Sequence, residues 1–283
     1  MTPLIAAAVL AAAVMHASWN AIAHGVKDKL VVFALIGVGD VLIAGAAVFF
    51  VPFPAAGAWP WLLASVAIHL VYMTLLMQSF RLGDFGQVYP IARGTAPLVV
   101  AAVAHFFLDE RLGLWQTGGV VLACAGLSGI ALWGLRGADA RPHWPALAAA
   151  FATGLSIAAY TVVDGVGVRA SGSSLGYTAW LVLLMGPWIP LAALVRRGPG
   201  TVRELRPVAV RGLLGGAVSV SAYGLVLWAQ TRAPLAPIAA LRESSIVVGA
   251  AIGAVFLKER FGGPRVVGAC LMVAGIALVL LSA

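Results

Sequence analysis

Charge is scarce in this chain. Of its 283 residues only 10% are Asp, Glu, Lys or Arg, against about 25% in ordinary soluble domains. Hydrophobic residues make up 62%, and the mean hydropathy is +1.01. A soluble fold of this length cannot hide that much apolar surface, so lipid is its solvent. Cysteine is nearly missing as well. Cys124 and Cys270 lie in apolar stretches with no CxxC neighbour, which favours helix packing over a disulfide or a metal role. The sequence contains no HExxH, no GxSxG, no clustered carboxylate pair and no phosphate-binding P-loop. The expectation is a protein that is not an enzyme, uses no cofactor or metal, and is not driven directly by ATP.

The net charge is +8. Basic helices and aromatic platforms suited to bases are absent, so the expected partners do not include nucleic acid. The excess sits in short loops between apolar runs, where it sets membrane orientation. Ten such runs are readable, at Leu4–Ala23, Leu30–Val51, Trp59–Phe80, Gly86–Leu108, Leu114–Leu135, Trp144–Val166, Ser174–Val195, Gly212–Gln230, Leu235–Leu257 and Arg265–Leu281. A run of about 20 residues crosses about 30 Å of hydrocarbon as a helix. Barrel strands would be half as long and would alternate in polarity. The first run has no basic residues before it and is long enough to span, so it reads as a retained helix rather than a cleaved signal.

Two of these runs each carry an arginine. Arg93 and Arg242 lie 149 positions apart, and the same offset aligns Phe107-Leu108-x-Glu110-Arg111 with Phe256-Leu257-x-Glu259-Arg260. It also aligns Gly113, Gly119 and Gly126 with Gly262, Gly268 and Gly275. The chain therefore reads as a duplication, residues 1–137 and 142–283, with five helices in each copy. An odd number of spans inserts the second copy upside down. The loops agree: of the 18 Lys and Arg, thirteen lie in odd-numbered loops (Arg265 counted with the ninth) and three in even-numbered loops. Within the copies the bias reverses, from 3 against 1 to 2 against 8, as inverted repeats demand. Positive-inside then places both termini on the periplasmic side.

Two copies of an element running from a proline to Phe-Leu-x-Glu-Arg, followed by a Gly-rich helix, resemble the EamA domain. The matching stretches are Tyr89-Pro90-Ile91-Ala92-Arg93-Gly94 through Arg111, and Pro237 through Arg260. EamA pairs define ten-helix members of the drug/metabolite transporter superfamily. The resemblance implies an all-α integral membrane protein with two inverted five-helix repeats around a central cavity. It also implies alternating access and a bacterial inner-membrane location. His16-Ala17-Ser18-Trp19-Asn20 is similar to a subgroup of exporters of the YddG amino-acid type. Small multidrug-resistance relatives carry a membrane-embedded Glu in the first helix. Here His16 and Asn20 stand in that helix, a departure that bears on proton antiport.

Helical spacing groups the intramembrane polar residues into faces. His16, Trp19 and Asn20 share one face of the first helix, and His69, Tyr72 and Met73 one face of the third. Tyr89 and Arg93 are i, i+4 in the fourth. Ser156, Tyr160 and Asp164 form a stripe in the sixth, and Ser219 and Tyr223 pair in the eighth. Arg242 is followed by Glu243, Ser244 and Ser245 in the ninth. Twelve of these residues are candidates to bind substrate: His16, Trp19, Asn20, His69, Tyr72, Tyr89, Arg93, Tyr160, Tyr223, Arg242, Glu243 and Ser244. Each has a plainer reading. Ser156, Ser219 and Ser221 suit bonds to carbonyls of their own helix. Trp59, Trp61, Trp115, Trp133 and Trp144 suit interface anchors. The histidines suit hydrogen bonds between helices, and the arginines suit ion pairs, Arg93 with Asp40 or Arg242 with Glu243.

Each arginine is the eighth residue of its run. Inversion thus places Arg93 in the cytoplasmic third and Arg242 in the periplasmic third, one at each of two gates. The Phe-Leu-x-Glu-Arg charges are expected to cap or anchor helices in water. Gly119/Gly126 and Gly268/Gly275 are expected to be packing faces of the fifth and tenth helices, with contact between two copies of the chain as the other use of such a face. Pro97 and Pro187 are the expected kinks. The function that this pattern supports is a secondary transporter exporting small metabolites, amino acids first. The alternative is efflux of lipophilic drugs.

Overall fold

The computed structural model describes residues 1–24, 26, 28–82, 85–110, 113–134, 144–198, 200, 206–248 and 263–281. Among them there is helix and no strand. The helices are α1 (Pro3–His24), α2 (Lys29–Ala47), α3 (Trp59–Leu82), α4 (Phe85–Phe107), α5 (Leu114–Gly134) and α6 (Trp144–Ala170). They continue with α7 (Ser174–Met185), α8 (Trp188–Arg197), α9 (Ala209–Gln230), α10 (Leu235–Arg242) and α11 (Gly263–Leu281). Among the described residues six stretches are long and apolar enough to cross a membrane, and shorter apolar helices run over Ile91–Phe107 and Val266–Leu281. Side chains such as Phe49, Phe50, Phe107 and Val195 are at least 80% exposed, a surface stable only against lipid or its interface. The chain is an all-α membrane protein.

Local chemistry explains most helix ends. Asp28 caps α2 by accepting from the Val31 amide at 3.2 Å, and Ser173 caps α7 through the Gly176 amide at 3.0 Å. The seventh run is not one helix, because it breaks at Gly186-Pro187 into α7 and α8, where proline withholds a donor. Pro187 is thus a break, whereas α4 runs through Pro97 uninterrupted. Pro234 and Pro237 do not bend a helix: Pro234 precedes α10 and Pro237 is in its first turn, where a missing N–H costs nothing. The ninth run is also interrupted. α10 stops at Arg242, Glu243 is a turn, and helix resumes over 244–248. The element at 256–260, the linker at 136–143, Arg111 and the side chains of Tyr89 and Trp133 lie outside the described residues.

Contacts divide the chain into two compact units. One, here the arginine unit, comprises Met1–Leu10, Val71–Val162 and Arg232–Ala283. The other, the carboxylate unit, comprises Ala11–Leu70 and Val163–Thr231. Both draw on stretches from the first and second halves of the chain.

In the arginine unit, α5 and α11 pack along their glycines. A Cβ on Gly119 would lie 2.7 Å from the Gly275 carbonyl oxygen, and one on Gly126 would lie 2.5 Å from that of Gly268. Gly119 pairs with the later glycine of α11 and Gly126 with the earlier one, so the two helices run antiparallel. The 149-residue offset maps each of these contacts onto the other. The expected packing face is thus present. The carboxylate unit has a counterpart. A Cβ on Gly37 of α2 would meet the Gly186 carbonyl at 2.7 Å and Pro190 at 3.0 Å, while one on Gly186 would meet Val41 at 2.8 Å. Gly37 and Gly186 share the 149-residue offset, as do Val41 and Pro190, so this contact is reciprocal too. The apolar core here joins Leu62, Val66, Val168, Tyr177, Leu181 and Leu227.

Candidate functional site

The arginine unit places its two charged helices side by side. Arg93 on α4 is 3% exposed and donates from Nε to Glu243 Oε2 at 3.0 Å. Its Nη2 also donates to the Arg242 carbonyl at 3.4 Å and to Ser245 Oγ at 3.3 Å. That carbonyl would ordinarily take the Ile246 amide. Instead the Ile246 amide donates to Glu243 at 2.9 Å, which explains the interruption of the ninth run without proline or glycine.

Arg242 is 7% exposed and donates from Nη1 to Thr161 Oγ1 on α6 at 3.4 Å. Both guanidinium charges act on the Glu243 carboxylate. Two of the expectations need correction. The partner of Arg93 is Glu243, 150 residues away, and not Asp40. The arginines do not stand in opposite thirds of the membrane either, because one bonds the backbone of the other. Arg93 and Arg242, which share the 149-residue offset, meet here.

Nearby in the same unit Tyr72 and Tyr160 stack edge to face, centroids 5.4 Å apart. Ser244 Oγ is buried without a hydrogen-bond partner among the described residues. Glu110 of the first Phe-Leu-x-Glu-Arg element accepts from the Leu235 amide at 2.7 Å. It thereby caps α10, a helix of the other copy, where a negative charge also suits the helix dipole.

The carboxylate unit carries the remaining candidates. Tyr177 and Tyr223 both donate to Asp164, Tyr177 to Oδ1 at 2.9 Å and Tyr223 to Oδ2. Asp164 and Tyr177 are fully buried. Gly167, one turn past Asp164, makes room: a Cβ there would stand 2.5 Å from the Tyr177 hydroxyl. His69 lies edge-on to Tyr223 at 5.6 Å, and its Nδ1 pairs with Ser65 of its own helix. Trp19 donates to His16 Nδ1 at 3.2 Å, and the Asn20 amide donates to the His16 carbonyl. These histidine bonds each lie within one helix. Asp40 is 6% exposed, and its Oδ1 has no hydrogen-bond partner among the described residues.

The twelve candidates thus fall into two groups. Tyr72, Arg93, Tyr160, Arg242, Glu243 and Ser244 belong to the arginine unit. His16, Trp19, Asn20, His69 and Tyr223 belong to the carboxylate unit, and the side chain of Tyr89 lies outside the described residues. Ser156 and Ser221 bond carbonyls of their own helices, as read from the sequence. Tyr177 was not among the candidates. The Asp164-x-x-Gly167 spacing was its signal, a carboxylate with a cleft one turn away. Trp115 and Trp144 are exposed at helix starts, as anchors are, whereas Trp59 stacks on Phe53 and Trp180 instead.

Buried charges of a helical membrane protein thus converge from positions 149 residues apart. Residues 144–281 match the EamA-like transporter family. A WAT1-related chloroplastic protein of Arabidopsis thaliana is 28% identical over 205 residues, covering 65% of this chain and 45% of that protein. The matched stretch is thus under half of that relative's length. One crystal structure superposes at a TM-score of 0.74 with 17% identity, covering 100% of this chain and 99% of the other, which shows the same fold. The match over 144–281 and the relative support a place for the chain in the drug/metabolite transporter superfamily.

Proposed function

We propose that this chain is a secondary transporter that exports small polar metabolites, amino acids first, by alternating access. The observation that carries the reading is the Arg93–Glu243–Arg242 cluster, buried at membrane depth and assembled from equivalent positions of a duplicated sequence. An arginine at mid-bilayer costs roughly 2.5–3.5 kcal/mol even on lenient scales, so two of them need a use. A guanidinium suits a carboxylate through two parallel hydrogen bonds. The Tyr72–Tyr160 pair, in the same unit, offers an apolar wall for a variable side chain.

The reading includes two inverted repeats, 1–137 and 142–283, in a bacterial inner membrane with both termini periplasmic, and leaves room for a homodimer. The reciprocal glycine contacts and the antiparallel run of α5 against α11 support inversion. Uptake of labelled amino acids into liposomes holding the purified protein, at two pH values and beside cationic dyes, tests the function. Amino-acid flux above that of protein-free liposomes is the expected result. Flux of dyes alone replaces the reading with drug efflux, and no flux of either kind overturns it.

A further inference from the structure

The two arginines are equivalent in sequence and unequal in their surroundings. Arg93 meets a carboxylate, a carbonyl and a hydroxyl. Among the described residues Arg242 makes one long hydrogen bond, 3.4 Å to the neutral Thr161, and it keeps more of its surface exposed, 7% against 3%. Its electrostatic partner Glu243 is hydrogen-bonded to the other arginine. Among the described residues, two guanidiniums and one carboxylate leave the cluster with one positive charge in excess. Arginine does not shed its charge, so the surplus stays at any pH the protein meets. A buried surplus charge is costly until an opposite charge joins it.

We infer that Arg242 is the anion-binding arginine of this transporter, taking one small carboxylate, while the Arg93–Glu243 pair is a prop. The inference rests on the transport reading above and narrows its substrate class. The prop has a definite task. Glu243 adjoins Arg242 in sequence, and Arg93 holds its carboxylate away from the neighbouring guanidinium. Removing Arg93 alone frees Glu243 to compete with the substrate for Arg242. A ligand ammonium is not required, because no acidic group of the cluster is left over to receive one. Ser244, two residues past Arg242, has a buried hydroxyl with no hydrogen-bond partner among the described residues.

The test is thermal-shift titration of the purified full chain with two matched series. One is propionate, L-alanine and ethylamine; the other is 3-phenylpropionate, L-phenylalanine and phenethylamine. The acid and the amino acid of at least one series are expected to stabilise the protein, and the amines are not. Arg242→Gln is expected to weaken that response at least tenfold. Arg93→Gln is expected to weaken it as well, whereas Arg93→Gln/Glu243→Gln is expected to return it to within threefold of the original protein. The response is read as the ligand-dependent shift from each variant's own ligand-free Tm, so recovered stability alone does not count as rescue. Full response in Arg242→Gln, or a double variant no better than Arg93→Gln, overturns the inference. A response to the amines alone also overturns it while transport of another substrate class survives. Silence toward all six compounds, together with no amino-acid flux in liposomes, removes both readings.

Discussion

The arginine unit and the carboxylate unit both bury charge, and they stabilise it by different means. In the first, opposite charges face each other across α4 and the end of α10, with Arg93 and Glu243 at 3.0 Å. In the second, Asp164 receives two tyrosine hydroxyls and has no salt bridge among the described residues. A charge-assisted bond to a guanidinium is roughly twice as strong as one between neutral groups, and breaking it strands a second charge. Removing one hydroxyl donor leaves Asp164 with the other. The first arrangement is therefore brittle and the second tolerant.

The sharpest way to break the contrast is to remove one member of the ion pair. Arg93→Ala leaves Glu243 buried without its closest partner, and losing one partner of a buried pair costs about 3–5 kcal/mol. The expected outcome is a large drop in Tm in detergent and poor yield from the membrane. Arg93→Met/Glu243→Leu removes both charges and is expected to recover most of the loss, because the desolvation cost disappears with them. A double variant as unstable as Arg93→Ala would show that the pair's packing, not its charge, supports the unit.

The milder test falls on the carboxylate unit. Tyr177→Phe deletes one of the two donors to Asp164 inside a fully buried core. A buried acceptor left short of a partner costs about 1–3 kcal/mol. Tyr223, which is only partly buried, is expected to cost less when changed to Phe. If Tyr177→Phe proves as damaging as Arg93→Ala, the two units do not differ in the way the bonding suggests. Tm of the purified variants, measured together, decides the order.

Much of this was readable before any coordinates. The 149-residue offset gave Arg93 and Arg242, and the Gly119/Gly126 spacing foretold a close helix contact, because both depend on periodicity within a copy. What escaped depends on contacts distant in sequence. The partner of Arg93 lies 150 residues away, and only the crossing of α4 with the end of α10 selects Glu243 over Asp40. The stop at Arg242 has no proline or glycine to announce it. It follows from Arg93 reaching the Arg242 carbonyl, an event no local propensity encodes. Tyr177 was missed because a tyrosine in the first turn of an apolar helix looks like an interface anchor. Its burial needs Gly167 on another helix.

The smallest expected effect lies at the water-exposed edge of the carboxylate unit, where charge is paired in the open. Asp28 accepts from Arg197 Nη1 at 2.5 Å and from Nη2 at 3.1 Å, a two-pronged contact joining the start of α2 to the end of α8. The side chains remain 33% and 42% exposed, so solvent screens the pair, and such bridges contribute roughly 0.2–1 kcal/mol. The Arg197 hydrogen bond holds the Asp28 carboxyl below its ordinary value of 3.8. A carboxyl lowered by folding adds stability above its unfolded value and loses it as pH falls through the folded one. The contribution is therefore complete at pH 7 and fades below about pH 4. Asp28→Asn keeps an N-cap for α2 while removing the charge. It is expected to lower Tm slightly at pH 7 in low salt, and by less at pH 3 or in 1 M salt. A Tm loss undiminished at pH 3 would mean that Asp28 acts through its cap geometry rather than its pairing with Arg197.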